Sequence, residues 1–346
     1  MTLTQRPPAP AAGRERSGAT RLVDRVFRMR ELAIFVVFLV MIAITQAGNS
    51  HFLSEQGVKD LLLNATILVL VATGQALVVI SRNVDLSVGS TLGISAFAAG
   101  DYLQGGGDSL LALLLAVALG AGCGLLNGAL VSLGQVPALV VTLGTLYVIR
   151  GVDSIWVGSR QITASDLPGG FTDFGSGGLG AVPYLALIAL VLVAAVAYYL
   201  RNFSGGRELY ALGSNPEAAR LAGIQVRRRI LTAYIACGAL AGLAGALYLA
   251  RFGNVDSATG NGYELTVVSA VVVGGVAFTG GSGSAYGAAL GALLLTSINS
   301  VLPALGVSSV WVLAINGVLL VLAIAVDRVV ALRLAAALKK RNARHG

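Results

Sequence analysis

Ten long apolar runs divide this chain, at about 32–47, 58–80, 88–103, 110–134, 136–151, 183–200, 230–251, 264–278, 285–302 and 309–327. A straight membrane span takes roughly 20 such residues, with a range of about 17–25. The runs therefore predict an all-α fold, a polytopic membrane protein with about ten transmembrane helices. Those at 88–103 and 264–278 are short and rich in glycine, which predicts broken or partly crossing segments. Composition agrees: 12% of the residues are charged, against about 25% in a soluble domain. The 45 glycines suit spans whose backbones approach closely.

Charge sets the orientation. With ten spans and the N-terminus inside, all but four of the 24 Lys and Arg fall on the cytosolic side; Lys59, Arg150, Arg160 and Arg251 are the exceptions. Such a bias predicts cytosolic N- and C-termini. The net charge of +8 then belongs to topology, and no soluble domain is left over for nucleic acid. Residues 1–31, with Pro7, Pro8 and Pro10, read as a basic, disordered cytosolic tail. The charged lead is long for a signal peptide and the chain stays apolar after it, so the first run reads as a retained anchor. Residues 328–346 read as a second basic cytosolic tail, and 32–327 as the transmembrane domain. Cys123 and Cys237 lie inside apolar runs and read as small packed hydrophobes. His51 and His345 sit in a loop and a tail, so no histidine cluster is expected to hold a metal.

A loop at 201–229 interrupts the apolar pattern with "SNPEAARLAGIQVRRR", Ser214 to Arg229. Asn215 is a good N-cap, Pro216 suits the first helical position, and Glu217 favours the positive end of the helix dipole. Gly223 is placed for a left-handed C-cap. Two turns of helix are thus predicted over 216–222. Alone in water so short a helix is marginal, so its neighbours or a partner must hold it.

"PEAARLAGI" resembles the cytoplasmic coupling loop of permease subunits of bacterial ABC importers. "DLSVGS" (85–90), "VPALVVTLGTLYVIRGV" (136–152), "YALGSNPEAARLAGI" (210–224) and "GGVAFTGGSGSAYGAALGALLL" (274–295) are together similar to the sugar-type permeases of ribose, xylose, rhamnose and autoinducer-2 importers. The resemblance covers about residues 32–327. It departs at "SRNV" before the first motif and in the long Gly-rich loop 153–182. It implies a bacterial inner-membrane permease for a monosaccharide or related small polar solute, with 201–229 as the coupling loop. The partners it implies are two ABC ATPase subunits, a periplasmic or lipid-anchored sugar-binding protein, and a second permease copy or paralogue. Glu217, Ala218, Ala219, Leu221, Ala222 and Gly223 become the candidate ATPase contacts. No cofactor is expected: the chain has no G-x-x-x-x-G-K-[ST], its lysines are only Lys59, Lys339 and Lys340, and ATP belongs to the partners.

Gln75, Asn127, Thr142, Asn299 and Asn316 lie inside apolar runs and are candidates for the solute path, although interhelical hydrogen bonding is the commoner role of such residues. Asp85 precedes a helix start and reads as a cap, with Ser87 and Ser90 nearby. Glu264 and Asp256 are candidates to face the binding protein. "TGGSGS" (279–284) lacks the lysine of a phosphate cradle and reads as a tight turn between helices. "VDLSVGSTLG" (84–93) and "FTGGSGSAYG" (278–287) share G-S-x-x-G, as duplicated transporter halves can. An ion-coupled secondary transporter is disfavoured because the spans carry almost no ionisable residues. A membrane enzyme is disfavoured by the lack of an acid–base or metal cluster. A branched-chain amino-acid permease shares the overall plan and is the main rival, with "DLSVGS" against it.

Overall fold

The computed structural model describes residues 18–304, together with isolated positions between 306 and 325. Each of the nine apolar runs before residue 304 is a helix. These are α1 (Gly18–Gly48), α2 (Glu55–Ile80), α3 (Val88–Gln104), α4 (Ser109–Ser132) and α5 (Ala138–Val157), then α7 (Tyr184–Asn202), α10 (Val226–Phe252), α11 (Tyr263–Val273) and α12 (Ala285–Ala304). Short helices fill the connections: α6 (Gly169–Ser176), α8 (Ser204–Ser214) and α9 (Pro216–Leu221). Strand is confined, among the described residues, to a two-residue antiparallel pair, β1 (Gly178–Leu179) and β2 (Val182–Pro183).

Helix ends follow local chemistry. Ser54 caps α2 by accepting from the Gly57 amide, and Asp108 caps α4 by accepting from the Leu110 and Leu111 amides. Gly253 ends α10 in the left-handed region, at φ 61°. Helix α1 as described starts at Gly18, inside the segment expected to be a disordered tail. Helix α11 ends five residues before its apolar run does, at Gly274 and Gly275, where φ reaches 94°. Helix α5 instead continues past its run to Val157.

Among the described residues, six helices are long and apolar enough to cross a membrane: α2, α4, α5, α7, α10 and the Ala285–Leu302 part of α12. Helices α3 and α11 are shorter, at 17 and 11 residues. The run 309–327 is described only at isolated positions, and the tails 1–17 and 326–346 lie outside the described residues.

Helix α2 is the centre, buried along most of its length, with Ile67, Leu70, Val71, Val78 and Val79 fully enclosed. Helices α4, α5 and α7 show apolar outer faces, such as Leu110, Leu114, Val140, Val148 and Leu190. In lipid such faces gain nothing by leaving the hydrocarbon, so close backbone packing must hold the bundle. Between α4 and α10 that packing is glycine on glycine. A Cβ at Gly120 would collide with the Gly238 carbonyl, and one at Gly124 with the Tyr234 carbonyl. Helices α11 and α12 repeat the device, with Gly274 against Gly287 and Ala270 against Gly291.

After α2 the chain turns at Arg82, with φ 65°. Residues 83–86 then run back beside α2 until the Asp85 backbone meets the Gln75 side chain. Helix α3 thus starts within the fold, and its first turn at Gly89 abuts Gly260 and Glu264 at the start of α11.

Candidate functional site

Two constructions stand out, one at the surface around α8 and α9 and one buried around Asp85. Helix α9 forms as its sequence dictates. Asn215 accepts from the Glu217 and Ala218 amides, both at 3.1 Å, and Pro216 takes the first helical position. The far end closes with the Ile224 amide on the Ala219 carbonyl and the Gly223 amide on the Arg220 carbonyl, each at 3.0 Å. Gly223 adopts φ 80°, which completes a Schellman cap.

Helix α8 anchors this short helix to the bundle. Arg229 of α10 donates to Glu208 at 2.6 Å. The Tyr210 hydroxyl donates to the Gly283 carbonyl at 2.9 Å, in the α11–α12 turn. Gly213 fits so closely against the Ile80 carbonyl and the Gly281 amide that no β-carbon could be added. The Gly281 amide itself donates to the Ile80 carbonyl at 2.9 Å. The end of α2, the α11–α12 turn and the α8–α9 junction are therefore joined at one point. The glycine-rich 279–284 segment is a tight turn, as its composition predicted, and Gly280 abuts Arg82.

Glu217, Ala218, Leu221, Ala222 and Gly223 are exposed, Leu221 at 90%, whereas Ala219 is buried and fixes α9 to the core. Beside them lies a groove of about 490 Å3 lined by Gln135, Arg220, Ile224, Gln225, Val226, Arg227 and Arg228. A rigid, capped helix with a protruding leucine and a basic groove at its side can receive a protein partner with complementary charge.

Three of the sequence-predicted polar residues converge inside the bundle. The Gln75 carboxamide, with its nitrogen turned to the Asp85 carbonyl (3.2 Å) and its oxygen to the Asp85 amide (3.1 Å), satisfies both backbone groups. Asn127 donates to the Ser87 hydroxyl at 2.7 Å and to the Asp85 carboxylate at 3.3 Å. Thr142 donates to the Val84 carbonyl at 3.3 Å and the Ala138 carbonyl at 2.9 Å. Asp85 accepts from the Ser87 amide and hydroxyl at 2.9 and 2.7 Å; it holds the turn before α3 and is not the helix cap expected of it, because the N-cap position is Ser87. The Tyr234 hydroxyl adds a bond to the Val84 carbonyl at 3.0 Å; sequence reading passed over this residue. Gln75, Asn127 and Thr142 are fully buried, and together they brace the returning 83–87 segment. Buried backbone away from a regular ladder needs such partners. Asn299 lies half-buried on α12, and Asn316 is outside the described residues.

At the opposite end of α5 stand two ionisable residues that sequence reading did not select. Arg150 donates to the Thr259 carbonyl at 2.6 Å, and Asp153 is fully buried. Asp256 is occupied by its own turn, accepting from the Ala258 amide at 2.9 Å.

Comparison with known proteins gives a consistent answer. The family described as "Branched-chain amino acid transport system / permease component" matches residues 57–324. The chain is 36% identical over 302 residues to the autoinducer 2 import system permease protein LsrC of Enterobacter sp. (strain 638), covering 87% of this chain and 88% of that protein. It is 34% identical over 306 residues to the ribose import permease protein RbsC of Escherichia coli (strain K12), covering 86% and 94%. No solved structure matches.

Proposed function

We infer the function from one premise: the chain belongs to the branched-chain amino acid transport system / permease component family. It is a multi-pass membrane protein and a permease component of a transport system, not an enzyme. We propose that it forms half of the pore of a binding-protein-dependent ABC importer in a bacterial inner membrane, paired with a second copy or a paralogue. Two ATPase subunits act from the cytosol and a binding protein delivers the solute outside. The solute class is a monosaccharide or a related small polar molecule, in line with the named cargo of relatives at 34–36% identity. In this reading about ten spans place both termini in the cytosol, because the arginine-rich 201–229 loop and the tails then share one side.

The observation that carries the coupling role is the anchoring of Gly213 against both Ile80 and Gly281. A push on α9 is transmitted through α8 to the end of α2 and to the α11–α12 turn, as a rigid contact between packed elements requires. Glu217, Ala218, Leu221, Ala222 and Gly223 form the contact surface, and Ala219 holds the helix in place. Gln75, Asn127 and Thr142 act through the 83–87 segment they brace, while Asn299 of α12 and Asn316 are the further candidates for the solute path.

The test is reconstitution in proteoliposomes with the ATPase subunits and the binding protein, and radiolabelled ribose as probe. ATP-dependent ribose uptake that requires all components is expected. Uptake that proceeds without ATP, or of leucine in place of ribose, would contradict the proposal.

A further inference from the structure

The two oxygens of Asp153 have no hydrogen-bond partner among the described residues, although the side chain is fully buried. An ionised carboxylate offers about four acceptor sites, and leaving them empty in the interior costs more than leaving a neutral group unpaired. The neighbouring cation does not fill them. The Arg150 guanidinium stands 3.9 Å from Asp153, beyond hydrogen-bond range, and is committed to the Thr259 carbonyl at 2.6 Å.

On the side of α3 and α11, Arg150 is met by backbone and small residues. Gly93 of α3 lies against the Thr259 carbonyl and the Arg150 guanidinium, and Gly89 against the Gly260 carbonyl and the Glu264 carboxylate. Arg150 therefore sits where α5 meets α3 and the loop that leads into α11, with Asp153 one turn further along α5. Short helices that begin inside a transporter expose unpaired amides to its solute path. The location thus combines an empty carboxylate, flanked on α5 by the buried Ile149 and Val157, with a guanidinium and, beside the guanidinium, the starts of two helices.

We propose that Asp153 and Arg150 form a hydroxyl-binding pair for a polyol solute, occupied when the 254–262 loop moves away from α3 and α5. This assignment rests on the sugar-permease reading. Asp153 accepts from two hydroxyl groups of the solute, and Arg150, released from Thr259, donates to a third. In the conformation described the site is shut, and its unfilled acceptors favour the opening that brings a solute in.

The experiment compares wild type, Asp153→Asn and Asp153→Ala in proteoliposomes with ATPase and binding protein. It measures ribose uptake and ATP hydrolysis together, with thermal unfolding in detergent as the check on folding. Asp153→Ala should lower ribose moved per ATP by about tenfold or more, while loaded binding protein still stimulates hydrolysis. Asp153→Asn, which keeps one acceptor, should fall between. Unchanged ribose per ATP in Asp153→Ala would overturn the assignment alone. A parallel loss of uptake, hydrolysis and thermal stability would also overturn it, marking a structural role. A wild type that moves leucine and not ribose would overturn both this assignment and the sugar-permease reading.

Discussion

Gly213 of α8 touches the carbonyl of Ile80, the last residue of α2, at a distance that admits no β-carbon. The same carbonyl accepts from the Gly281 amide at 2.9 Å. Substituting Gly213 by Ala must therefore displace α8 from α2 or from the α11–α12 turn. Overpacking of this kind costs about 1–3 kcal/mol. Gly213→Ala should lower the unfolding temperature in detergent and lower ATP-driven uptake further than that loss of folded protein explains.

The contact of α4 with α10 offers a paired control within one helix. Gly124 faces the Tyr234 carbonyl without room for a side chain, whereas Gly122 has nothing within 4 Å of an added Cβ. Gly124→Ala should destabilise by about 1–3 kcal/mol through the forced separation of backbones. Gly122→Ala should be neutral or gain up to about 1 kcal/mol from helix propensity. Thermal unfolding of the two variants in detergent side by side reads the difference directly.

Gln75 satisfies both the amide and the carbonyl of Asp85. Gln75→Leu keeps the approximate volume and removes both partners, so the buried Asp85 peptide groups are left unpaired. Each orphan costs about 1–3 kcal/mol. Hydrogen exchange across 83–88 should accelerate, and the unfolding temperature should fall. Unchanged exchange there would show that the brace does not hold the segment.

Helix α9 depends on its caps. Asn215→Ala removes the acceptor for the Glu217 and Ala218 amides and should cost about 1 kcal/mol. Gly223→Ala places a side chain at φ 80°, at a cost of about 1–2 kcal/mol. Hydrogen exchange over 216–224 should rise in both variants while the α2 core is unaffected, since the cap contacts are local.

The relation of sequence to structure differs from element to element. The long apolar runs and the α9 caps were legible because burial and capping use local signals, the stretch of apolar residues and the Asn-Pro-Glu…Gly pattern. Helix α8 was not. "SGGRELYALGS" carries three glycines and reads as loop, yet Gly206 and Gly213 allow the close approach to Leu200 and Ile80 that tertiary packing demands. The convergence of Gln75, Asn127 and Thr142 was hidden for another reason. Their partners are the backbone of Val84 and Asp85 and the side chains of Asp85 and Ser87 in the returning segment, and nothing in sequence spacing shows that the chain doubles back there. Asp153 was read as a loop residue because the apolar run ends near Gly151, while the helix runs on to Val157. Only the Arg150–Asp153 spacing of three residues hinted that both share a helix face.

The central claim, that α9 is where ATPase force enters, is tested most directly by co-purification from detergent. Wild type, Glu217→Arg and Leu221→Arg would each be tagged and recovered with the ATPase subunits co-expressed, alongside thermal unfolding. Both substituted side chains are exposed, so folding should be unaffected. The account predicts that wild type retains the ATPase and that both variants lose it at unchanged unfolding temperature. Full ATPase retention by both variants would contradict it, and would leave the capped helix without a role in coupling.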